Sequence, residues 1–208
     1  MKRILVVGAG LSTSCLIEYL LKQSVEFDWK VVVGDLDIEI AKKKINGHVN
    51  GKAIEFDVFN DAQRAREVKK ADIVISMLPA RFHYLIVKSC LKFRKNLVTA
   101  SYISPELREL NDEAKEKGIL ILNEIGLDPG IDHLSAMRVI NNIKNSGGKI
   151  LQFRSSTGGL VAPKSDNNPW NYKLTWNPRN VVLAGQGGAQ YIDRNSYKYT
   201  LTTNYFKD

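Results

Sequence analysis

Cysteine is scarce in this chain of 208 residues: only Cys15 and Cys90 occur. Both fall in segments with helical periodicity and read as buried free thiols, so no disulfide framework is expected and a reducing cytoplasm suits the chain. No spacing of His, Cys, Asp or Glu resembles a metal site, so no metal is expected. No apolar run reaches the ~18 residues of a membrane span. The N-terminus reads as a strand and a glycine turn, not as the charged, apolar and small-residue series of a secretory signal. Basic residues outnumber acidic ones, 30 to 22, for a net charge of +8. A long basic block is nonetheless missing. The lysines are dispersed over helical segments, as in Lys42-Lys43-Lys44, Lys69-Lys70, Lys115 and Lys117. Solvated helix faces are expected rather than a nucleic-acid surface, and the modest positive field would attract an anionic cofactor and substrate.

What is present begins at once. Ile4-Leu5-Val6-Val7 is a short apolar run, Gly8-Ala9-Gly10 follows it, and residues 11–21 read as a helix. Asp35 lies just past a second apolar run, Val31-Val32-Val33. This is the layout of a dinucleotide-binding βαβ unit. Gly8 allows the tight turn, Gly10 lets backbone approach a pyrophosphate, and the helix presents free N–H groups and its positive dipole end. Asp35 is expected to accept from the two ribose hydroxyls, and its charge, reinforced by Asp37, would repel a 2′-phosphate. NAD is therefore expected in preference to NADP, with NADP as the alternative. Thr13 stands at the third position of the G-x-G-x-x-G pattern.

Strand and helix signals alternate from residue 4 to residue 125. Strands are expected at 53–56, 72–77, 96–100 and 119–125, and helices at 38–45, 60–70, 80–93 and 104–117. Asn60 and Ser104 are expected as caps, with Pro105 in the first turn. The pattern predicts an α/β fold: a Rossmann-like, doubly wound parallel sheet with helices on both faces. Its ligand edge would be formed by the loops at 8–10, Asp35, Asp57, Leu78-Pro79, Ser101-Tyr102 and 126–130. The pattern changes after Asp128. A helix at 132–145 and a strand at 150–155 precede a loop rich in Gly, Pro, Asn and Trp. Two domains are expected: residues 1–128 for the dinucleotide, and 129–208 as the beginning of an α+β substrate domain.

The segments 98–105 (VTASYISP) and 123–134 (NEIGLDPGIDHL) closely resemble the saccharopine dehydrogenase family, in its glutamate-forming branch. Residues 75–79 (ISMLP), 158–163 (GGLVAP), Asn168-Pro169 and 172–176 (YKLTW) add to the resemblance, which extends to about Tyr191. The resemblance implies an NAD(P)-dependent oxidoreductase of lysine metabolism. Hydride leaves the lysine-side carbon beside the secondary nitrogen of saccharopine, and hydrolysis gives glutamate and 2-aminoadipate 6-semialdehyde, or the reverse. It implies cofactor contacts at Gly8, Ala9, Gly10, Leu11, Ser12, Asp35, Leu36, Asp37, Asp57, Val58, Leu78, Thr99, Ala100, Leu127, Asp128 and Trp176. Substrate contacts are implied at Ser101, Tyr102 and Asp128. Thr157 stands where the family usually has a cysteine, where a hydroxyl can still hydrogen-bond. Asp35 resembles the NAD-using animal branch, whereas fungal members have an arginine there.

Asp128 is the first candidate for catalysis, holding the substrate's secondary amine and accepting its proton. The plainer alternative is a turn-building or helix-capping aspartate. His133 is a candidate proton shuttle, with packing at the domain junction as its alternative. His83, after the Leu78-Pro79 loop, carries the same pair of readings. Tyr102 would donate to a substrate carboxylate or pack on the nicotinamide. Family members continue for roughly as many residues again, which implies a truncated chain whose uncovered apolar surface a homodimer would hide. Two further functions stay open: a related imine-reducing enzyme such as a carboxynorspermidine dehydrogenase, and a non-catalytic dinucleotide-binding remnant.

Overall fold

The computed structural model describes residues 1–155, 161–173 and 188–201. The chain divides into two compact units, Met1–Ser155 and Ser156–Asp208. The first contains β1 (Lys2–Val7), α1 (Ser14–Gln23), β2 (Trp29–Asp35), α2 (Ile38–Ile45), β3 (Gly51–Glu55) and α3 (Asp61–Lys70). It continues through β4 (Ile73–Ser76), α4 (His83–Phe93), β5 (Asn96–Thr99), α5 (Pro105–Glu109), α6 (Asn111–Glu116), β6 (Ile121–Leu122) and α7 (Ile131–Asn145). In the second unit the described residues form a short 3-10 turn (Pro163–Ser165) and one antiparallel hairpin, β7 (Gly188–Asp193) and β8 (Ser196–Leu201).

The six strands of the first unit are parallel neighbours in the order β3-β2-β1-β4-β5-β6. This is the doubly wound order that leaves a crevice between β1 and β4 at the carboxyl edge. Burial on both faces explains why β1 and β2 are continuous apolar runs rather than alternating ones. Ile4, Val6, Val31 and Val33 pack with Ile17, Leu20 and Leu21 of α1 and with Ala41 and Ile45 of α2. Leu5, Val7, Val32 and Val74 turn the other way, into a cluster with Val68 of α3 and Ile86, Val87 and Leu91 of α4.

Local chemistry sets the ends of these elements. The Asn60 side chain accepts from the Gln63 N–H, and that of Ser104 from the Leu107 N–H. Three expected elements differ. The helix at 104–117 breaks at Leu110, whose N–H reaches back only three residues to the Leu107 carbonyl (3.2 Å) while ψ relaxes to 1°. The expected strand at 119–125 shortens to β6. Beyond it the Glu124 and Ile125 N–H groups instead donate to the Ser101 and Thr99 carbonyls, at 3.1 and 3.2 Å. Residues 150–155 have no regular secondary structure, so the expected strand is not found there.

Candidate functional site at the carboxyl edge of the sheet

At the end of β1 the chain turns at Gly8 with φ +98°, and a Cβ there would lie 2.8 Å from the Met77 carbonyl oxygen, so only glycine fits. A Cβ on Gly10 would meet nothing within 4 Å. Backbone therefore lies open at the point where a pyrophosphate must approach, and the turn fits a dinucleotide. A 3-10 turn, Leu11–Thr13, leads into α1, and no side chain caps this helical start. Such an end offers N–H groups and a positive dipole to an anion. Thr13, in place of a third glycine, is fully buried and donates its hydroxyl to the Gly10 carbonyl at 2.8 Å. Leu11 is exposed, as is Ser12.

The acids at the neighbouring strand ends are engaged by backbone. Asp35 Oδ2 accepts from the Ala9 N–H (2.6 Å), and Oδ1 from the Asp37 N–H (3.1 Å). Asp37 caps α2 by accepting from the Glu39 N–H (2.9 Å), while Leu36 is exposed. Asp57 accepts from the Phe59 N–H (2.9 Å) and donates its own N–H to Gln63 Oε1 (2.8 Å). Val58 is buried beside it. Leu78 packs partly buried against the core.

At β4 and β5 a buried polar chain reaches the same edge. His83 is only 1% exposed. Its Nδ1 lies 2.8 Å from Ser76 Oγ, and its Nε2 lies 2.7 Å from Ser101 Oγ and 3.3 Å from Thr99 Oγ1. Burial pushes its pKa down to about 4, so near neutral pH the ring is uncharged, with one nitrogen donating and the other accepting. Local sequence does not distinguish His83 from His133, because the partners of His83 lie at β4 and β5. Ala100 follows Thr99, half-buried.

Tyr102 and Asp128, far apart in sequence, meet here: the tyrosine O–H donates to Asp128 Oδ1 at 3.1 Å. Partial burial, the bond to Asp128, and the charges of Asp128, Asp132 and Glu124 all raise the Tyr102 pKa, so the phenol keeps its proton. Exposed Leu127 leads to Asp128 and a cis Asp128–Pro129 bond. The loop closes with Gly126 N–H to the Pro129 carbonyl (2.9 Å) and Ile131 N–H to the Gly126 carbonyl (3.0 Å). Gly130 sits at φ +149°, and a Cβ there would collide with Gly126 backbone. Asp132 Oδ1 accepts from the Gly130 N–H (2.8 Å) and lies 2.8 Å from His133 Nδ1, an exposed imidazole. Thr157 and Trp176 lie outside the described residues. Among the described residues, no group of three or more His, Cys, Asp and Glu is placed to hold a metal, and no helix is long and apolar enough to cross a membrane.

Comparison with known proteins agrees with this layout. Residues 4–122 match the saccharopine dehydrogenase NADP binding domain, and residues 126–207 match the saccharopine dehydrogenase C-terminal domain. The chain belongs to the saccharopine dehydrogenase family. It is 42% identical over 190 residues to the NADP(+), L-glutamate-forming saccharopine dehydrogenase of Pyricularia oryzae, covering 91% of this chain and 41% of that protein. It is also 42% identical over 164 residues to alpha-aminoadipic semialdehyde synthase of Arabidopsis thaliana, covering 79% of this chain and 15% of that protein. The crystallised apo saccharopine dehydrogenase (L-Glu forming) of Saccharomyces cerevisiae superposes with a TM-score of 0.85 at 37% identity, over 98% of this chain and 45% of that one. The chain thus spans less than half the length of these relatives.

The family relationship corrects one expectation. NAD was expected over NADP from Asp35, but the matching domain is NADP-binding and the fungal relatives are named for NADP(+). Asp35 Oδ2 accepts from the Ala9 N–H of the glycine turn and Oδ1 from the Asp37 N–H just after β2, and the Lys44 ammonium lies against the glycine turn. The carboxylate does not set the local charge alone.

Proposed function

We propose that this chain is the cofactor-binding part of a glutamate-forming saccharopine dehydrogenase, with NADP(H) held at the carboxyl edge of β1, β2 and β4. The observation that carries this reading is the convergence of the glycine turn, the His83–Ser101 chain and the Tyr102–Asp128 pair on one edge of one unit. The matches at 4–122 and 126–207 support a division in which residues 1–128 hold the cofactor and 129–208 begin the substrate-binding part. When bound, the nicotinamide accepts hydride from the substrate carbon beside the secondary amine. The chain's own residues orient the substrate and manage protons. Asp128 takes the proton of that amine, and Tyr102, protonated and donating, fixes the carboxylate's direction. Ser101, held by His83, offers its hydroxyl to a substrate carboxylate. Hydrolysis of the resulting imine releases glutamate and 2-aminoadipate 6-semialdehyde. Thr157 and Trp176 belong to this reading as substrate and cofactor contacts, and His133 as a proton shuttle beside Asp132. The free thiols Cys15 and Cys90 support a reducing compartment such as the cytoplasm. A homodimer would cover the exposed apolar side chains of α7.

The test is saccharopine-dependent reduction of NADP⁺ by the purified chain, with carboxynorspermidine and NAD⁺ in parallel. Turnover with saccharopine is expected. Turnover with carboxynorspermidine alone would move the assignment to another imine-reducing enzyme. NADPH binding without turnover would leave a cofactor-binding module only.

A further inference from the structure

Lys44 is the most heavily engaged cation near the turn, and the site described above treats it only as a neighbouring charge. It projects from the last turn of α2, and its ammonium donates to the Gly10 carbonyl, to Thr13 Oγ1 (3.1 Å) and to Ser14 Oγ (2.9 Å). All three acceptors belong to the turn and the helix start that face a dinucleotide. Burial lowers the Lys44 pKa, while the negative charge of Asp35 works the other way, which puts the acid and the ammonium in one electrostatic neighbourhood.

The surroundings single it out further. A groove of about 1070 Å³ opens at Gly10 and runs between α1 and α2, with Lys22, Lys43, Lys44 and His48 among its walls and Glu18 as its only acid. Lys42, the other member of the lysine run, is tied to Glu39 at 2.7 Å on the outer face of α2. Asp35 cannot bind a phosphate dianion, and each of its oxygens already accepts one backbone N–H. In this fold the ribose 2′ position lies beside the acid that ends β2. A 2′-phosphate there needs a cation that can exchange its present neutral acceptors for phosphate oxygens without leaving a buried charge unpaired. Lys44 meets that requirement, because the groups it would release are a carbonyl and two hydroxyls that other donors and water can serve.

We propose that Lys44 is the residue that receives the 2′-phosphate of NADP(H), with Lys43 lining the same wall of the groove, and that it sets the cofactor preference which Asp35 does not. The proposal rests on the reading that the glycine turn holds NADP(H).

The experiment titrates wild type, Lys44→Gln and Lys44→Arg with NADPH and with NADH, by nucleotide fluorescence, after thermal melts show that the variants are folded. Loss of a charge-assisted contact should weaken NADPH binding about ten- to a hundred-fold in Lys44→Gln and leave NADH within about two-fold. Lys44→Arg should keep most of the NADPH affinity. Equal weakening of both nucleotides would overturn the proposal and make Lys44 a clamp on the turn. No change for either nucleotide would overturn it as well. Should Lys44→Gln fail to fold, competition on the wild type decides: 2′,5′-ADP should displace NADPH at least ten-fold better than ADP does, and equal potency would overturn the proposal. Wild type that binds neither dinucleotide would sink the cofactor reading itself, and Lys44's role with it; selective failure at Lys44 leaves that reading standing.

Discussion

The first half of the sheet and the stretch after residue 125 are built on opposite terms. In β1 every residue from Ile4 to Val7 is at most 5% exposed, and Val31, Val32 and Val33 of β2 are fully buried. α7 has fifteen residues and none is buried; Leu134, Met137 and Val139 stand 65%, 49% and 57% exposed. One region makes its own core, while the other carries the apolar residues of a packed helix without the packing. Most helix stability in proteins comes from a buried face rather than from intrinsic propensity. The two regions also fall into different family domains, since the NADP-binding match ends at residue 122 and the C-terminal match begins at 126.

The sharpest way to break this comparison is the same deletion in both regions. Leu5→Ala removes a fully buried side chain between the sheet and α3–α4, and should cost about 2–5 kcal/mol in urea unfolding. Leu134→Ala should cost less than about 0.5 kcal/mol, in line with other exposed sites. Comparable losses would mean that α7 is covered in solution by something the described residues do not provide.

A smaller effect should come from His83, the one histidine that belongs to the buried region. Below about pH 6.5 the unfolded imidazole takes up a proton that the folded ring refuses until about pH 4. The unfolded state therefore binds more protons across this window. Stability rises with pH through it and is lost as pH falls. At about 1.4 kcal/mol for each pH unit, the loss approaches 3 kcal/mol by pH 4. His83→Gln should flatten that part of the pH–stability curve. Parallel curves for wild type and variant would show that the ring is not held neutral between Ser76 and Ser101.

Much of this architecture is legible from short-range pattern. The runs at 4–7 and 31–33, the turn at Gly8-Ala9-Gly10 and the caps at Asn60 and Ser104 all act over a few residues, so sequence alone places them. Family motifs point to Tyr102 and Asp128 separately, but their hydrogen bond depends on how two loops close. The His83 chain is harder still: Ser76, Thr99 and Ser101 come together only because β4 and β5 lie side by side. The surroundings of Asp35 are likewise hidden from spacing. In sequence Asp35 is a bare charge, whereas in the fold each of its oxygens accepts a backbone N–H and Lys44 arrives at the adjacent turn from the far end of α2, a contact decided by helix packing.

The two cysteines give the smallest contrast, and Cys15 is a direct probe of the start of α1. Cys90 is fully buried on α4, and burial pushes its thiol up to about 12, so it holds almost no thiolate at neutral pH and is inert. Cys15 is exposed near the start of α1. Iodoacetamide on the native chain should add one carbamidomethyl group, at Cys15, with Cys90 reacting only after unfolding; peptide mass spectrometry reads both. A cofactor on the glycine turn stands over the same end of α1, so NADPH should slow the Cys15 reaction by a few-fold while leaving Cys90 silent. Modification of Cys90 in the native chain would mean that the α4 side of the sheet opens readily, and the contrast between a self-sufficient core and an uncovered helix would have to be redrawn.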